Sequence, residues 1–185
     1  MLIHQWIAFN ALYGQWDENQ REPVADRQSW RNFLAKVMKL DASQLLVTVL
    51  TDHKRLVMAI LGNAYLNRCF WSDGDAADGG LQDPKRHERG RFKAQSWYVE
   101  RRWLLVLEQL LERVYLLRCQ LVHGAATFNS RLNRDAMKHC TTLLRHLLPA
   151  LLSVLIDHGA DEVWGPLCYP PLESGRSRAS TKPQR

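Results

Sequence analysis

Two residues near the end of one long apolar segment have side chains suited to phosphoryl chemistry. Arg118 and His123 stand five positions apart, and Gly124 follows at once. A histidine can give or take a proton near neutral pH. An arginine grips phosphoryl oxygens with two donors and stabilises the charge that develops on them. An arginine and a histidine at this separation are common, so their meaning depends on what surrounds them.

The segment from Ser96 to His123 reads as the longest helix, closed by Gly124. With ~100° per residue and Leu107 at the centre, Trp103, Leu104, Leu110, Leu111, Val114, Leu121 and Val122 share the apolar face. Arg102, Gln109, Glu112 and Arg113 fall opposite. Arg118 lies only ~20° from Leu107, inside the apolar stripe. A guanidinium there is costly unless it is paired, hydrated in a cleft or kept for an anion. Glu100 shares its face but lies ~27 Å away along the axis, too far to pair within the helix. His123 falls ~140° from Arg118, on a second, thinner stripe with Tyr98, Leu105 and Leu116. One straight helix therefore does not unite the two. Unwinding at Gly124, or a second chain, must do so.

Other helices surround this one. Leu2 to Tyr13 has Ile3, Trp6, Ile7 and Tyr13 on one face and Gly14 as its stop, with Asn10 on the same face. A polar loop, Gln15 to Ala25, leads to a helix that Asp26 caps, carrying Trp30, Phe33, Leu34, Val37 and Met38. Asp41 or Ser43 starts another helical stretch with a break near Asp52. Leu56, Val57, Ile60, Leu61 and Ala64 then keep a helical face to about Phe70. Residues 71–95 read as a long charged loop, acidic at Asp73, Asp75, Asp78 and Asp83 and basic at Lys85, Arg86, Arg89, Arg91 and Lys93. After a short turn, Leu132 to His158 carries Met137, Cys140, Leu144, Leu147, Leu151 and Val154 at alternating steps of three and four, with Pro149 as a kink. The expected fold is all-α: a helical bundle built on a long antiparallel α-hairpin. Residues 1–164 form one domain and 165–185 an extended, disordered basic tail.

Composition narrows the function. Ser174 to Arg185 holds Arg176, Arg178, Lys182 and Arg185 and no acid. With these four set aside, the net charge of +6 becomes +2 for the rest of the chain, which is only mildly basic, so a nucleic-acid partner is permitted rather than required. Cys69, Cys119, Cys140 and Cys168 contain no C-x-x-C pair, which fits reduced thiols better than a disulfide framework. His139, Cys140 and His146 read as ordinary helix residues rather than a metal set, and no cofactor motif is present. No basic n-region, cleavage pattern or apolar run near ~20 residues is seen, so the expected location is the cytoplasm, with no membrane partner.

Arg118-Cys119-Gln120-Leu121-Val122-His123 resembles the R-x4-6-H motif of HEPN domains, all-α proteins of prokaryotic toxin–antitoxin and phage-defence systems. Trp6 to Gly14, WIAFNALYG, is similar to the first-helix signature of the Apea-like HEPN subgroup. The resemblance spans about Leu2 to His158. It implies metal-independent RNA cleavage by a homodimer. Arg118 and His123 match the catalytic positions, and Asn10, Tyr13, Cys119, Gln120 and Gly124 are supporting positions. It also implies an RNA substrate and an antitoxin or defence-system protein as partner. The chain departs from the family at Cys119, where Asn, Asp or His is commoner and a thiol is a weak donor. The alternative implied by that departure is a non-catalytic HEPN module that binds RNA or a protein.

Overall fold

The computed structural model describes residues 1–67, 84–124, 133–166 and 168. Within them lie seven α-helices: α1 (Leu2–Tyr13), α2 (Asp26–Leu40), α3 (Leu45–Asp52), α4 (Lys54–Leu61), α5 (Pro84–Val99), α6 (Trp103–Val122) and α7 (Arg134–His158). A 3-10 turn, Ala64–Leu66, follows α4. The fold is all-α. Its one small departure is a two-stranded antiparallel ribbon, Trp16–Asp17 with Glu22–Pro23, inside the expected polar loop.

Helix α6 meets α1, α2, α3, α4, α5, α7 and the 3-10 turn, while α7 packs against α1 to α4. The core runs between them through Val106, Leu107, Leu110, Leu111, Val114 and Leu117 of α6 and Cys140, Leu143, Leu144, Leu147, Leu151 and Val154 of α7. Each such aliphatic side chain contributes roughly 1.5–3 kcal/mol on burial. By length and composition alone α7 could cross a bilayer, where the sequence reading found no such run. In this fold its seam is committed to the core instead.

Several expectations change. The single helix Ser96–His123 is two helices, and the longest is α7 with 25 residues. Arg101 takes φ +55°, and the amides of Arg101 and Arg102 donate to the carbonyls of Tyr98 and Trp97 at 3.2 and 2.9 Å. That is the Schellman way of ending a helix, with arginine in the left-handed place that glycine ordinarily fills. Residues 84–95 are helical rather than loop. Pro84 suits the first helical position, and Lys, Arg, Glu, Gln and Ala all favour helix without any apolar rhythm. The expected acidic half of that loop, the helix beyond Asn67, the turn Ala125–Ser130 and most of the tail lie outside the described residues.

The start of the tail is paired, not free. Trp16 donates its amide to Pro166 at 3.1 Å, and Cys168 donates to Gly14 at 3.2 Å. Gly14 is needed for this approach, because a Cβ there would sit 2.9 Å from the Asn10 carbonyl oxygen and 3.2 Å from Cys168 Cβ. Asp26 is the first residue of α2, not its cap. Asp41 does support the next helix: its carboxylate accepts from the amides of Leu45 and Leu46 at 2.7 and 2.9 Å. The break near Asp52 occurs at His53. On α1 the buried residues are Leu2, Trp6, Phe9 and Tyr13, while Ile7 is 59% exposed. On α7 Met137 lies outside the seam and Ala136 takes its place.

Candidate functional site

The C-terminal half of α6 is held by α1 and α2 through an aromatic and charged cluster. Trp6 of α1 packs its ring 5.9 Å from that of Tyr115 on α6, and 5.4 Å from Phe9. Arg27 of α2 lies over the Tyr115 ring at 5.0 Å and pairs with Glu112 at 2.8 Å. Two of the four residues expected opposite the apolar face, Glu112 and Arg113, are therefore contacts, while Arg102 is exposed. Glu112 takes the Arg27 pair, and Arg113 donates to the Leu66 carbonyl. The cause is tertiary, since α2 and the 3-10 turn close over that side.

Tyr13 ends α1 in the middle of this cluster. Its hydroxyl donates to Asp26 Oδ1 at 3.1 Å. Its pKa is pushed far up, first by burial and then by the Asp26 charge and the bond to it. The positive charge of Arg118 acts on the same phenol in the opposite sense, so Arg118 belongs to the Tyr13–Asp26 neighbourhood. Tyr115 is raised too, by burial and by its hydrogen bond with the Cys119 thiol.

Arg118 is half-buried. Its Nη1 contacts Cys119 Sγ at 3.9 Å, and among the described residues it has no salt bridge. A sulfur at that distance satisfies little of a guanidinium that carries five donors. His123 is the C-cap of α6 and is exposed, its amide donating to the Cys119 carbonyl at 2.9 Å. Gly124 follows with φ +73°, the left-handed turn that glycine takes without strain. Among the described residues no hydrogen bond or ion pair joins Arg118 to His123, as the helical angle between them predicts.

The remaining expected site residues divide. Gln120 is buried and structural in its contacts. It donates to the Tyr65 carbonyl at 2.9 Å and accepts from Asn133 at 3.4 Å, tying the end of α6 to the 3-10 turn and to the start of α7. Asn10 is half-buried, and its amide side chain makes no hydrogen bond among the described residues. Its place in the WIAFNALYG run is thus separate from that of Trp6, Phe9 and Tyr13, which are core.

Sequence reasoning missed Asp26 and Tyr115. Asp26 had been assigned to a cap. Tyr115 had one available signal: it stands three and four residues before Arg118 and Cys119, the spacing at which helix side chains meet.

The described residues contain no group of three or more His, Cys, Asp or Glu able to hold a metal. His53 and His146 stack with ring centroids 4.0 Å apart, but they are two imidazoles without a third ligand. Cys140 is a core thiol whose pKa burial pushes up to about 12, so it is neither a ready nucleophile nor a ready metal ligand.

Comparison of the chain with family models, with curated proteins and with solved structures gave no match. The resemblance to HEPN domains therefore stands on the residues of the two motifs.

Proposed function

We propose that this chain is a metal-independent endoribonuclease of the HEPN type that acts as a cytoplasmic homodimer, a toxin or phage-defence effector. The observation that carries this reading is the condition of Arg118. It is half-buried, without a carboxylate partner among the described residues, and lies on the same helix end as an exposed histidine. A guanidinium in that condition keeps its donors for an anion.

The chemistry follows from RNA itself, which carries the nucleophile. The 2′-OH attacks the adjacent phosphorus, its proton passes to a base, and the P–O5′ bond breaks as the 5′-oxygen takes a proton from an acid. The products are a 2′,3′-cyclic phosphate and a 5′-OH end. Arg118 stabilises the equatorial oxygens of the phosphorane, and His123 performs a proton transfer. Base and acid are two roles, and one chain supplies one motif histidine. A two-fold pair supplies the second.

The alternative is a non-catalytic HEPN module that binds RNA or a protein partner. It is favoured by one contact, Arg118 Nη1 on Cys119 Sγ at 3.9 Å, and by the charge of Arg118 acting on Tyr13 of α1, a placement that suits a bracing role.

The test is purified wild type against His123→Ala and Arg118→Ala on mixed single-stranded and structured RNA, with product ends mapped. His123→Ala should lose ~10²–10⁴-fold in rate, the usual cost of removing a general acid–base group, and Arg118→Ala ~10²–10³-fold, the cost of a lost charge-stabilising donor, while helicity and self-association persist. Excess EDTA should leave the wild type active, and a 2′-deoxy nucleotide at the scissile position should block cleavage. Equal cleavage by wild type and His123→Ala would sink the assignment, and no cleavage of any RNA would transfer it to the binding module.

A further inference from the structure

The Tyr115 ring of α6 is held by two other helices. The Trp6 ring of α1 lies 5.9 Å away, tilted at 55°, and the Arg27 guanidinium of α2 stands 5.0 Å from the ring centre. Arg27 is itself fixed by Glu112 at 2.8 Å. Glu112 stands three residues before Tyr115, a spacing at which side chains on one helix face are neighbours. The ring is thus tied to α1, to α2 and to the preceding turn of its own helix.

The hydroxyl of that ring leads towards Arg118. Cys119 follows Tyr115 by four residues, again a facing position, and the two side chains are hydrogen-bonded. Burial raises the Tyr115 pKa first and this bond raises it further, so the phenol stays protonated and its hydroxyl is the donor. Arg118 Nη1 meets the same Sγ at 3.9 Å. Two donors therefore converge on one sulfur. A sulfur is a weak acceptor, so it can aim a guanidinium only if it is itself fixed. The cysteine side chain turns about a single torsion with three staggered wells, and one bond from a clamped ring is enough to select among them.

We infer that Tyr115 is a positioning residue for Arg118: held by Trp6 and Arg27, its hydroxyl sets the Cys119 rotamer, and the sulfur then aims the guanidinium. Arg118 has need of such a hold. It is half-buried and makes no salt bridge among the described residues. A reacting geometry displaced by ~1 Å can lose ~10²-fold in rate, and an arginine left to its own rotamers has that freedom. Tyr115 itself touches neither the substrate nor the migrating proton. The inference rests on Arg118 as the anion-binding group of the proposed ribonuclease.

The test compares the full chain, labelled with nitrogen-15, as wild type, Tyr115→Phe, Cys119→Ala, the double variant and Cys119→Ser. Tyr115→Phe keeps the ring beside Trp6 and Arg27 and removes only the hydroxyl, so the packing survives. Circular dichroism checks this for every variant. Relaxation of the guanidinium Nε–H, with the Arg118 signal assigned by its loss in Arg118→Lys, reads the hold on Arg118 without any substrate. The wild-type order parameter should lie above ~0.6 and fall into the flexible range below it in Tyr115→Phe and in Cys119→Ala. The double variant should be no looser than either single one, because the two groups act in series. Cys119→Ser, whose hydroxyl also accepts, should restore the order.

RNA cleavage supplies the second readout. In Tyr115→Phe kcat should fall ~5–10-fold, the worth of one hydrogen bond, with KM held within about twofold. In an Arg118→Ala background the same substitution should change nothing further. An Arg118 signal that is mobile already in the wild type, or equally ordered in wild type and Tyr115→Phe, overturns the inference. So does a rate loss that is just as large once Arg118 is gone. A change from ordered to mobile in a chain that cleaves no RNA leaves Tyr115 its hold on Arg118 and removes the ribonuclease reading instead.

Discussion

Tyr13 closes α1 by donating its hydroxyl to Asp26 Oδ1, 3.1 Å away at the first residue of α2. The bond joins the first two helices beside Arg118. It also sets a pH dependence. Tyr13 has a folded pKa raised above the ordinary phenol value of ~10, chiefly by burial. Below that value the phenol is protonated in both states and the bond contributes fully. Above it the unfolded chain sheds the proton while the folded chain holds it, so stability falls as pH rises. Tyr13→Phe should cost about 1–3 kcal/mol at pH 7, as for a hydrogen bond to a charged group. It should also flatten the loss of stability above pH ~10. Urea unfolding at pH 7 and pH 11 checks both parts. An unchanged slope with pH would mean that Tyr98 and Tyr115, also raised, carry the effect.

Gln120 shows how a motif position can serve the fold. Gln120→Leu removes the donor to Tyr65 and the acceptor of Asn133 while keeping most of the volume. The expected cost is about 1–3 kcal/mol, or a fall in Tm of ~2–4 °C per kcal/mol in a chain of this size. The cleavage rate measured well below Tm should stay within about threefold, since RT ln 3 is under 1 kcal/mol. A large loss of rate at an unchanged Tm would place Gln120 in the site.

Helix existence was legible wherever apolar spacing met a stop residue. α1 ends at Tyr13 before Gly14, as read, and α7 ends at His158, where the sequence placed its end. Where the rhythm was absent the reading failed: Pro84 to Gln95 is helix without an apolar stripe, although Ala94 joins the core. Where the stop was disguised it failed again, because Arg101 does at the α5–α6 corner what glycine normally does. The anomaly of Arg118 on an apolar stripe was visible in the sequence. Its surroundings were not, because Tyr13, on which its charge acts, stands on a different helix, and no spacing along one helix encodes that. The same limit applies to Glu112 and Arg113, polar by pattern and covered in fact.

Cys119 is the departure from the resembled motif, and its thiol lies between Tyr115 and Arg118. Cys119→Asn supplies a stronger donor and acceptor at nearly the same volume. If the thiol is a weak substitute that orients Arg118, the rate should hold or rise by up to about tenfold, the worth of one ordinary hydrogen bond. Single-turnover cleavage reads this directly. A fall of more than tenfold would make the sulfur itself a required group.

Assembly gives the sharpest test of a shared site. Val122 precedes His123 and is 56% exposed, an apolar residue at the open end of α6. A second copy that brings its own Arg118 and His123 to this end would cover Val122. A homodimer at tens of micromolar is therefore expected in sedimentation, a range typical of modest association. Val122→Glu places a charge where apolar surface would be buried, and should return the chain to a monomer with unchanged helicity. Cleavage should fall with dimerisation, because each cleft loses its second histidine, and the loss should be about as large as for His123→Ala. A variant that stays dimeric and fully active would move the contact elsewhere, with Leu152 and Ile156 on α7, 44% and 77% exposed, as the next apolar surface to substitute. A monomeric variant that retains full activity would instead remove the physical reason for a two-chain site, and acid and base would have to be sought within one chain.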